Sequence, residues 1–277
     1  MPCRACLEAE GVEQEKAFTT DDINAAVRKH LSPQKPVKVG GLDGHHAVMC
    51  GLIGEGRVTV SGRAGDLLAA FLDGPQVTLT GSAGDFTGST MVSGTLLVEG
   101  AVGRGLCCHM VGGRARIKGR CGDGAGAMMS GGLLVLDGPI GAEPGEGMTG
   151  GTLVLVQATR PPSRMPSGGR LLAPRSAAAS LPDISVSELT HEEVAELQGQ
   201  LEQLGVPEAA RLAGELVRLG PLAGGRPVSP KVPAKGSPSV VVGPEAGQGP
   251  PGTPGPGQRS RTASERFESF AREMKGD

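Results

Sequence analysis

The chain lacks tryptophan and tyrosine entirely, and phenylalanine supplies only five of its 277 residues. A core without large aromatic anchors must be filled by small aliphatic side chains packed among the 47 glycines. The net charge is only −2 and no basic stripe is interleaved with aromatic residues, which gives no basis for nucleic-acid binding. No run approaches the roughly 18 apolar residues of a membrane-spanning helix, and the N-terminus has no apolar signal segment. We therefore expect a cytoplasmic protein without membrane contact.

A repeat of 19 residues, without insertion or deletion, occupies the middle of the chain. A period of this length is typical of a solenoid, in which each unit forms one coil. A leading coil also fits, with Val37 and Val39 at the alternating apolar positions, if two extra residues are allowed before the first complete unit. Five complete units and the start of a sixth begin at Arg57, Gln76, Thr95, Arg114, Leu133 and Thr152.

Glycine marks two corners of each coil. When the positions of the unit are numbered as columns 1 to 19, columns 6 and 9 are glycine in all five complete units. Residues without a Cβ are needed where the backbone takes a positive φ or lies against its neighbour. Column 19 is glycine in four of the five units, with Pro75 as the exception, and predicts a second corner. The glycines of these columns are Gly62, Gly81, Gly100, Gly119 and Gly138; Gly65, Gly84, Gly103, Gly122 and Gly141; and Gly94, Gly113, Gly132 and Gly151.

Columns 2 and 4 are apolar and alternate with more polar neighbours, which predicts a short strand with one buried face. Column 16 places one apolar side chain per coil and predicts a buried ladder, because thioethers fill irregular gaps and no harder metal ligand accompanies them. The unit is thus interpreted as one coil of an all-β, parallel β-helix, whose stacked strands lie about 4.8 Å apart. We expect about six coils over residues 36–156, with a cap at each end. Column 16 holds Leu72, Met91, Met110, Met129 and Met148.

The segment before the repeat and the one directly after it are interpreted as a cap and a connector. Within residues 1–35, capping hydroxyls and first-turn acids predict a helix over 19–31 that covers the first coil. Residues 157–184 are predicted to be a connector rich in proline, arginine and alanine.

Residues 185–220 are predicted to form a helical hairpin, which is either the C-terminal cap of the solenoid or a docking element. Thr190 and Glu193 form a capping box ahead of the first helix, which Gly205 ends. A second helix restarts at Pro207. Its apolar positions are Leu212, Leu216 and Leu219.

The C-terminal part of the chain has a different composition. Residues 221–262 are rich in proline, glycine and serine and cannot bury enough apolar area to fold, so we predict a disordered linker. Residues 263–277 are predicted to form a short amphipathic helix that folds into a groove of a partner, with a frayed tail as the alternative. The apolar positions of this tail helix are Phe267, Phe270 and Met274.

The cysteines give no complete site. Cys3 and Cys6 form a single CxxC, whereas a zinc or iron–sulfur site needs three or four ligands, so this pair would bind a metal only with a partner. Cys107, Cys108 and Cys121 replace small or aliphatic residues of neighbouring coils and are expected to be free thiols. Cys108 precedes a histidine, but the segment after the glycine corner is interpreted as extended, and neighbouring residues of an extended segment point to opposite faces.

Column 10 carries charge at the glycine corner. Stacking would bring Asp85, Arg104 and Asp123 into register as an ion ladder, whereas Asp66 beside Asp85 is a like-charge pair to which a cation from a partner could bind. A solvated turn carboxylate is the favoured interpretation. The same alignment places Cys50 in column 13. We predict no catalytic, cofactor-binding or metal-binding residue in this chain. Column 10 reads His45, Asp66, Asp85, Arg104, Asp123 and Ala142.

The coils resemble those of the GXGXG domain. The pattern Gly-x-x-Gly-Asp-x-x-Gly followed by Met-x-Gly-Gly is clearest from Gly81 to Gly94 and from Gly119 to Gly132. This domain is the C-terminal β-helix of the glutamate synthase large subunit. It is also the free-standing β-helix subunit of formylmethanofuran dehydrogenase and of the related formyltransferase/hydrolase complex. The resemblance covers about residues 20–156 and implies a right-handed β-helix.

The resemblance implies a structural function. In glutamate synthase the domain packs between the glutaminase and the flavin-binding synthase domains and holds them in a fixed relation. Neither catalytic domain is recognisable here, and Cys3, behind Met1 and Pro2, cannot serve as the N-terminal nucleophile of that family without cleavage. The expected function is a non-catalytic subunit of a glutamate synthase-like oxidoreductase complex, with glutaminase-type and flavin synthase-type subunits as partners. FMN and an iron–sulfur cluster would be bound by those partners.

Two other functions stay open. One is the β-helix subunit of a formylmethanofuran dehydrogenase or formyltransferase/hydrolase-type complex, in one-carbon metabolism. The other is a stand-alone β-helix binding protein. The segment leading into residues 37–44 is more similar to the entry of the glutamate synthase domain, which favours the first function, in glutamate biosynthesis and nitrogen metabolism.

Overall fold

The computed structural model describes residues 6–7, 18–157, 167–179, 181, 184–206 and 209–221. The chain divides into two compact units, residues 1–225 and 226–277, and all described residues belong to the first. Three sequence predictions lie mostly or wholly outside this part of the chain. They are the CxxC motif, of which only the backbone of Cys6 is described, the linker at 221–262, of which only the first residue is described, and the tail helix at 263–277.

The predicted β-helix is confirmed as a parallel β-solenoid. Its strands are β1 (Cys6–Leu7), β2 (Val37–His45), β3 (Arg57–Ala64), β4 (Gln76–Thr80), β5 (Thr95–Val98), β6 (Arg114–Ile117), β7 (Ser130–Leu136), β8 (Gly150–Leu155) and β9 (Arg170–Pro174). Strands β2 to β9 stack in parallel in sequence order, and seven turns of chain connect them. From β3 to β7 each residue pairs with the residue 19 positions further on, so every column becomes a ladder.

The interior of the solenoid is filled by the apolar columns that the sequence predicts. The side chains of columns 2 and 4 are buried in each of the five complete units. The residues of column 16, four of them methionine, are 0% exposed, which confirms their position in the core. No aromatic ring belongs to the buried core of the described residues, and Phe18 only packs against its edge.

The prediction of an extended segment between columns 10 and 16 is wrong. Columns 11, 13 and 15 have positive φ in all five complete coils, so the backbone alternates between left-handed and other conformations. The N–H groups of columns 11 and 15 donate to the following coil, and the N–H of column 13 donates to the preceding coil. These bonds hold residues such as Leu67, Phe86 and Met128 at φ values of 61°, 57° and 55°, which non-glycine residues rarely adopt.

The leading coil differs from the predicted alignment. His46, not His45, lies beside Asp66 in column 10, and its Nδ1 accepts a hydrogen bond from the Asp66 N–H at 3.0 Å. Cys50 falls in column 14 with Ala70, not in column 13, because the N–H of Gly51 bonds to the Ala70 carbonyl as column 15 does elsewhere. The reason is that β2 contains register shifts, which absorb extra residues in places that the sequence pattern does not show.

The predicted N-terminal cap is confirmed as α1 (Thr20–His30). Its N-cap is Thr19, and the capping box joins Thr19 to Asp22. Ile23 and Val27 are fully buried against the main core. Strand β1 pairs antiparallel with β2, so a strand and a helix both cover the first coil.

The solenoid extends beyond residue 156, where the prediction ended it. Strand β9 pairs in parallel with β8, with Arg170 opposite Thr152. The prediction missed this strand because the offset is 18 residues and the intervening sequence lacks the glycines of columns 6 and 9. A signal was present, because Gly168 and Gly169 repeat the glycine pair found in the first residues of β7 and β8. A Cβ on Gly168 would lie 2.2 Å from the carbonyl oxygen of Thr149.

The predicted connector and helical hairpin contain further elements. They are α2 (Arg175–Ala178), β10 (Ile184–Ser187), α3 (His191–Gln203), α4 (Ala209–Glu215) and β11 (Leu216–Pro221). The capping box of Thr190 and Glu193 at the start of α3 is confirmed. The second helix is shorter than predicted, because Leu216 and Leu219 lie in β11, which pairs antiparallel with β9 and β10. The open edge of β9 offers backbone donors and acceptors that a strand satisfies and a helix does not.

A second core lies on the outer face of the last strands. Leu133, Val135, Val154 and Leu172 alternate with the inward residues of β7, β8 and β9 and contact the helices α3 and α4. Leu197 and Leu201 of α3 are the main helical contribution, at 1% and 0% exposure. The helices therefore cover one side of the solenoid rather than its end.

Candidate functional site

The aspartates of column 10 join neighbouring coils. Oδ1 of Asp66 accepts a hydrogen bond from the backbone N–H of Asp85 at 2.8 Å, and Oδ1 of Asp85 accepts one from Arg104 at 2.7 Å. Asp123 does the same for Ala142 at 2.7 Å. Each carboxylate is held by an amide of the next coil, so Asp66 and Asp85 are tolerated in one column. The favoured interpretation, a turn carboxylate, agrees with this geometry.

The predicted ion ladder forms only in part. The guanidinium of Arg104 pairs with Asp85, with Nη2 at 3.1 Å from Oδ2. No ion pair joins Arg104 to Asp123, although both belong to the described residues and to adjacent coils. The side chains of column 10 thus form an ion pair between two coils only. Asp66, Asp85 and Asp123 also each accept a hydrogen bond from a backbone N–H of the following coil.

The glycines of column 9 make room for these carboxylates. A Cβ on Gly84 would lie 2.1 Å from Oδ1 of Asp66, and one on Gly103 would lie 2.1 Å from Oδ1 of Asp85. The Gly-x-x-Gly-Asp pattern is therefore a packing requirement between coils, since each aspartate occupies the space that a side chain of the next coil would need. In column 6, a Cβ on Gly81 would lie 1.9 Å from the carbonyl oxygen of Gly62.

The two histidines of the first corner both have structural partners. His46 takes the place of the column 10 aspartate in the leading coil, and its Nδ1 also lies 3.3 Å from Oδ2 of Asp66. Nε2 of His45 lies 3.1 Å from the carbonyl oxygen of Phe18, just before the N-cap of α1. The pair connects the cap to the first two coils, because the rings bond to backbone groups of Phe18, Asp43 and Asp66.

The thiols of the coils are unsuited to nucleophilic chemistry. Burial raises the pKa of Cys108 to about 11 and that of Cys121 to about 12, the latter with a further contribution from the charge of Asp137. Burial also raises the pKa of Cys107. With these raised pKa values the thiols stay protonated at neutral pH. They are therefore unreactive, because a thiol must ionise to act as a nucleophile or metal ligand. Cys108 is buried and the adjacent His109 is exposed, so the two side chains are separated as predicted, although the segment is not extended.

The described residues contain no group of three or more histidine, cysteine, aspartate or glutamate side chains that could hold a metal ion. Of the CxxC motif, Cys3 lies outside the described residues and only the backbone of Cys6 is described. Its completion by a partner stays a prediction.

A row of exposed apolar side chains follows the corner next to the buried methionine ladder. We call it the lateral strip, and it consists of Ile53, Val92, Val111 and Met128, which are 62%, 47%, 54% and 56% exposed. Three of them occupy column 17, directly after the buried column 16, and Met128 occupies column 15 of the next coil. Val92 and Val111 belong to adjacent coils and are therefore stacked about 4.8 Å apart. Asp73 separates Ile53 from this pair in column 17, so the pair of Val92 and Val111 is the continuous part of the strip and a candidate protein interaction site.

Sequence reasoning missed the lateral strip, although its signal was present. Column 16 points inward in every coil, so the following column must point outward, and an apolar residue there needs an explanation. Column 17 is polar at Asp73 and Ser130, and apolar at Val92 and Val111. The only other large apolar side chain exposed among the described residues is Val186 of β10.

Within the described ranges, no helix has the length and apolar content needed to cross a membrane. No protein-family model matches this chain, and no curated protein matches it.

Proposed function

We propose that this chain is a non-catalytic structural subunit of a glutamate synthase-like complex, in which it holds a glutaminase-type and a flavin synthase-type subunit in a fixed relation. The resemblance of its glycine and aspartate columns to the GXGXG domain suggests the type of complex. The main observation in support of a structural function is the lateral strip, which is an apolar row on the side of the solenoid. The first coil is capped by the chain itself, so the side rather than this end is the surface left for a partner.

Rigidity supports this proposal. Neighbouring coils are joined by parallel strand pairs on one side and by the alternating hydrogen bonds of columns 11, 13 and 15 on another. Buried methionines pack the space between these sides. A body of this kind keeps the distance between two docked proteins constant, which is what a complex that transfers an intermediate between subunits requires.

The chemistry of the complex is assigned to the partners. The buried thiols of the coils are protonated at neutral pH, and the column 10 aspartates are engaged with backbone amides. In this proposal FMN and the iron–sulfur cluster belong to the flavin synthase-type subunit, and this chain contributes no catalytic residue.

The test is affinity purification of the tagged chain from its native cells, followed by mass spectrometry. We expect a flavin-containing synthase chain and a glutaminase chain to co-purify. The double variant Val92→Asp/Val111→Asp places charges on the lateral strip and should reduce their recovery at least about tenfold. The control Thr59→Asp/Ser61→Asp alters exposed positions of β3 and should leave recovery unchanged.

Other partners would overturn the proposal in defined ways. Recovery of formyltransferase or molybdenum- or tungsten-containing chains would establish the formylmethanofuran-type alternative. A chain that captures no other protein would support a stand-alone binding protein. Equal recovery with the lateral-strip variant and its control would show that docking uses another surface.

A further inference from the structure

The sheet of the described residues ends at an open edge. Its strand order runs from β1 through the solenoid to β9, then β11 and finally β10. Strand β10 pairs with β11 on one side, and no backbone hydrogen bond from elsewhere in the described chain reaches its other side. An edge strand of this kind presents a row of backbone donors and acceptors that another strand can pair with.

The edge of β10 is short, at four residues, but it lacks the other features that normally prevent pairing. Edge strands are usually blocked by proline, lysine, a bulge or very short length. The opposite edge of the sheet is short, since β1 has two residues. Strand β10 reads Ile184-Ser185-Val186-Ser187 and carries no proline, charge or bulge.

An exposed valine lies next to this edge. Val186 is 45% exposed. Ile184, two residues earlier and therefore on the same face of the strand, packs against the main core. Val186 thus lies on the face of β10 that contacts the core through Ile184, and the side chains of one more strand would cover it.

We propose that β10 pairs antiparallel with β10 of a second copy of this chain, about a two-fold axis at Val186. This register places Val186 opposite Val186, and Ser185 opposite Ser187. The sequence is self-complementary in this arrangement, because two β-branched residues pack at the axis and two pairs of hydroxyl groups flank them. The strand is uncharged, so no like charges meet across the axis.

The residue after the strand is compatible with this register. Glu188 would lie opposite Ile184 of the second copy, beyond the central pairs. Its carboxylate forms a two-armed ion pair with Arg175 of its own chain, and that pair lowers the pKa of Glu188. The carboxylate therefore points to a partner on its own chain.

Sedimentation velocity of the full chain over a concentration series tests the proposal. Because the paired edge is four residues long, we expect a dimer with a Kd on the order of 10–100 μM. Val186→Lys places two like charges opposite each other and should raise the Kd at least about tenfold. Val186→Thr keeps a β-branched, uncharged residue and should retain the dimer. A chain that stays monomeric throughout, or a dimer unaffected by Val186→Lys, would overturn the proposal.

Cysteine cross-linking tests the register. Under mild oxidation Val186→Cys should form a linked dimer well above the wild-type background, because the two introduced thiols face each other across the symmetry axis. Ser187→Cys alone should not, whereas a mixture of Ser185→Cys and Ser187→Cys chains should. Equal linking by Ser187→Cys alone would overturn the two-fold axis at Val186. The double variant Val92→Asp/Val111→Asp should dimerise normally, which separates this proposal from the function of the lateral strip.

Discussion

The interior coils and the first coil of the solenoid satisfy the same backbone groups by different means. Inside the solenoid, the N–H of column 13 donates to the column 12 carbonyl of the preceding coil. The leading coil has no preceding coil, and there the side chain of Asn24 takes its place. Asn24 Oδ1 accepts from the Met49 N–H at 2.6 Å, and its Nδ2 donates to the Ala47 carbonyl at 3.0 Å.

Other side chains of α1 complete the substitution. Carbonyls of columns 10 and 14, which inside the solenoid accept from the preceding coil, here accept from the Thr20 hydroxyl and the Arg28 guanidinium. The strand edges are covered differently, by β1 at one end and β11 at the other. The direction of the unpaired backbone groups at an edge thus determines whether a strand or a helix can cap it. A strand can extend a strand edge, whereas donors and acceptors that alternate in direction are met by separate side chains of a helix.

In the C-terminal region, a buried arginine of the sheet holds the covering helix. Arg116 of β6 is 8% exposed and its guanidinium bonds to Asp137 and to the carbonyl of Gly205, the second residue after α3. One arginine thus connects the sheet to the end of a helix 89 positions later. Hydrogen bonds between backbone groups join the interior coils, whereas side-chain hydrogen bonds of Asn24 and Arg116 join the covering elements to them.

Gly122→Val tests the interior and should have the largest effect. The new Cβ would lie 2.7 Å from the Gly103 carbonyl carbon and 2.8 Å from the Arg104 nitrogen, and backbone atoms cannot move aside. We expect the free energy of unfolding to fall by at least about 4 kcal/mol. The exposed neighbour Arg120→Ala should change it by less than about 0.5 kcal/mol. Equal melting temperatures of the two variants would contradict the proposed packing of column 9.

Arg116→Ala tests the C-terminal region. It removes the partner of a largely buried carboxylate and the donor to the Gly205 carbonyl, so we expect a loss of about 3 kcal/mol in urea denaturation. The matched control is Lys118→Ala, two residues further along the chain. Its ion pair with Glu99 has a similar length, 2.9 Å, but both side chains are about half exposed, and the loss should stay below about 1 kcal/mol. Similar losses for the two variants would show that burial is not the deciding factor.

Asn24→Ala tests the cap of the first coil. The Met49 N–H loses its acceptor and the Ala47 carbonyl loses a donor, which should cost about 2 kcal/mol. Hydrogen exchange should become faster at Met49 and stay unchanged in the middle coils. Lys29→Ala, on the exposed side of the same helix, is the control and should alter neither quantity. Unchanged protection of Met49 would mean that the cap does not depend on this side chain.

The repeating part of the fold was predictable because each column pairs with itself. An offset of 19 residues aligns glycine with glycine and methionine with methionine, so steric needs appear as columns in the sequence. The alternating backbone was not predictable. Cys107 and His109 have positive φ in one coil where Gly126 and Met128 have it in the next, and coil-to-coil hydrogen bonds rather than local preference hold them.

The C-terminal elements depend on an edge that exists only in the folded solenoid. Leu216 and Leu219 fit a helical pattern, but the edge of β9 recruits them into a strand. The second core had a sequence signal, because Leu133 to Leu136 are apolar without alternation, which is typical of a strand buried on both faces. The aspartates of column 10 were interpreted correctly as turn residues, whereas their bonds to the next coil follow from spacing that only the structure supplies.

Cys108→Ala concerns the interior alone and should have the smallest effect. Burial raises the pKa of the Cys108 thiol from about 9 to about 11. Below pH 9 the thiol is protonated in both states, and its contribution to stability is fully present. As the pH rises from 9 toward 11 only the unfolded chain ionises, so stability falls. Between about pH 9 and 10 the wild type should lose about 1 kcal/mol more than the variant in urea denaturation under reducing conditions.

Alanine suits this position because Ala70 and Ala127 occupy the same column two coils before and one coil after. A loss of stability at about pH 8 should therefore be small, and the pH dependence carries the test. If the variant and the wild type lose stability equally as the pH rises, Cys108 ionises in the folded chain, and the interior at this coil is open to water. If only the wild type shows the additional loss, the stacked coils exclude water from column 14 as tightly as the buried methionines indicate.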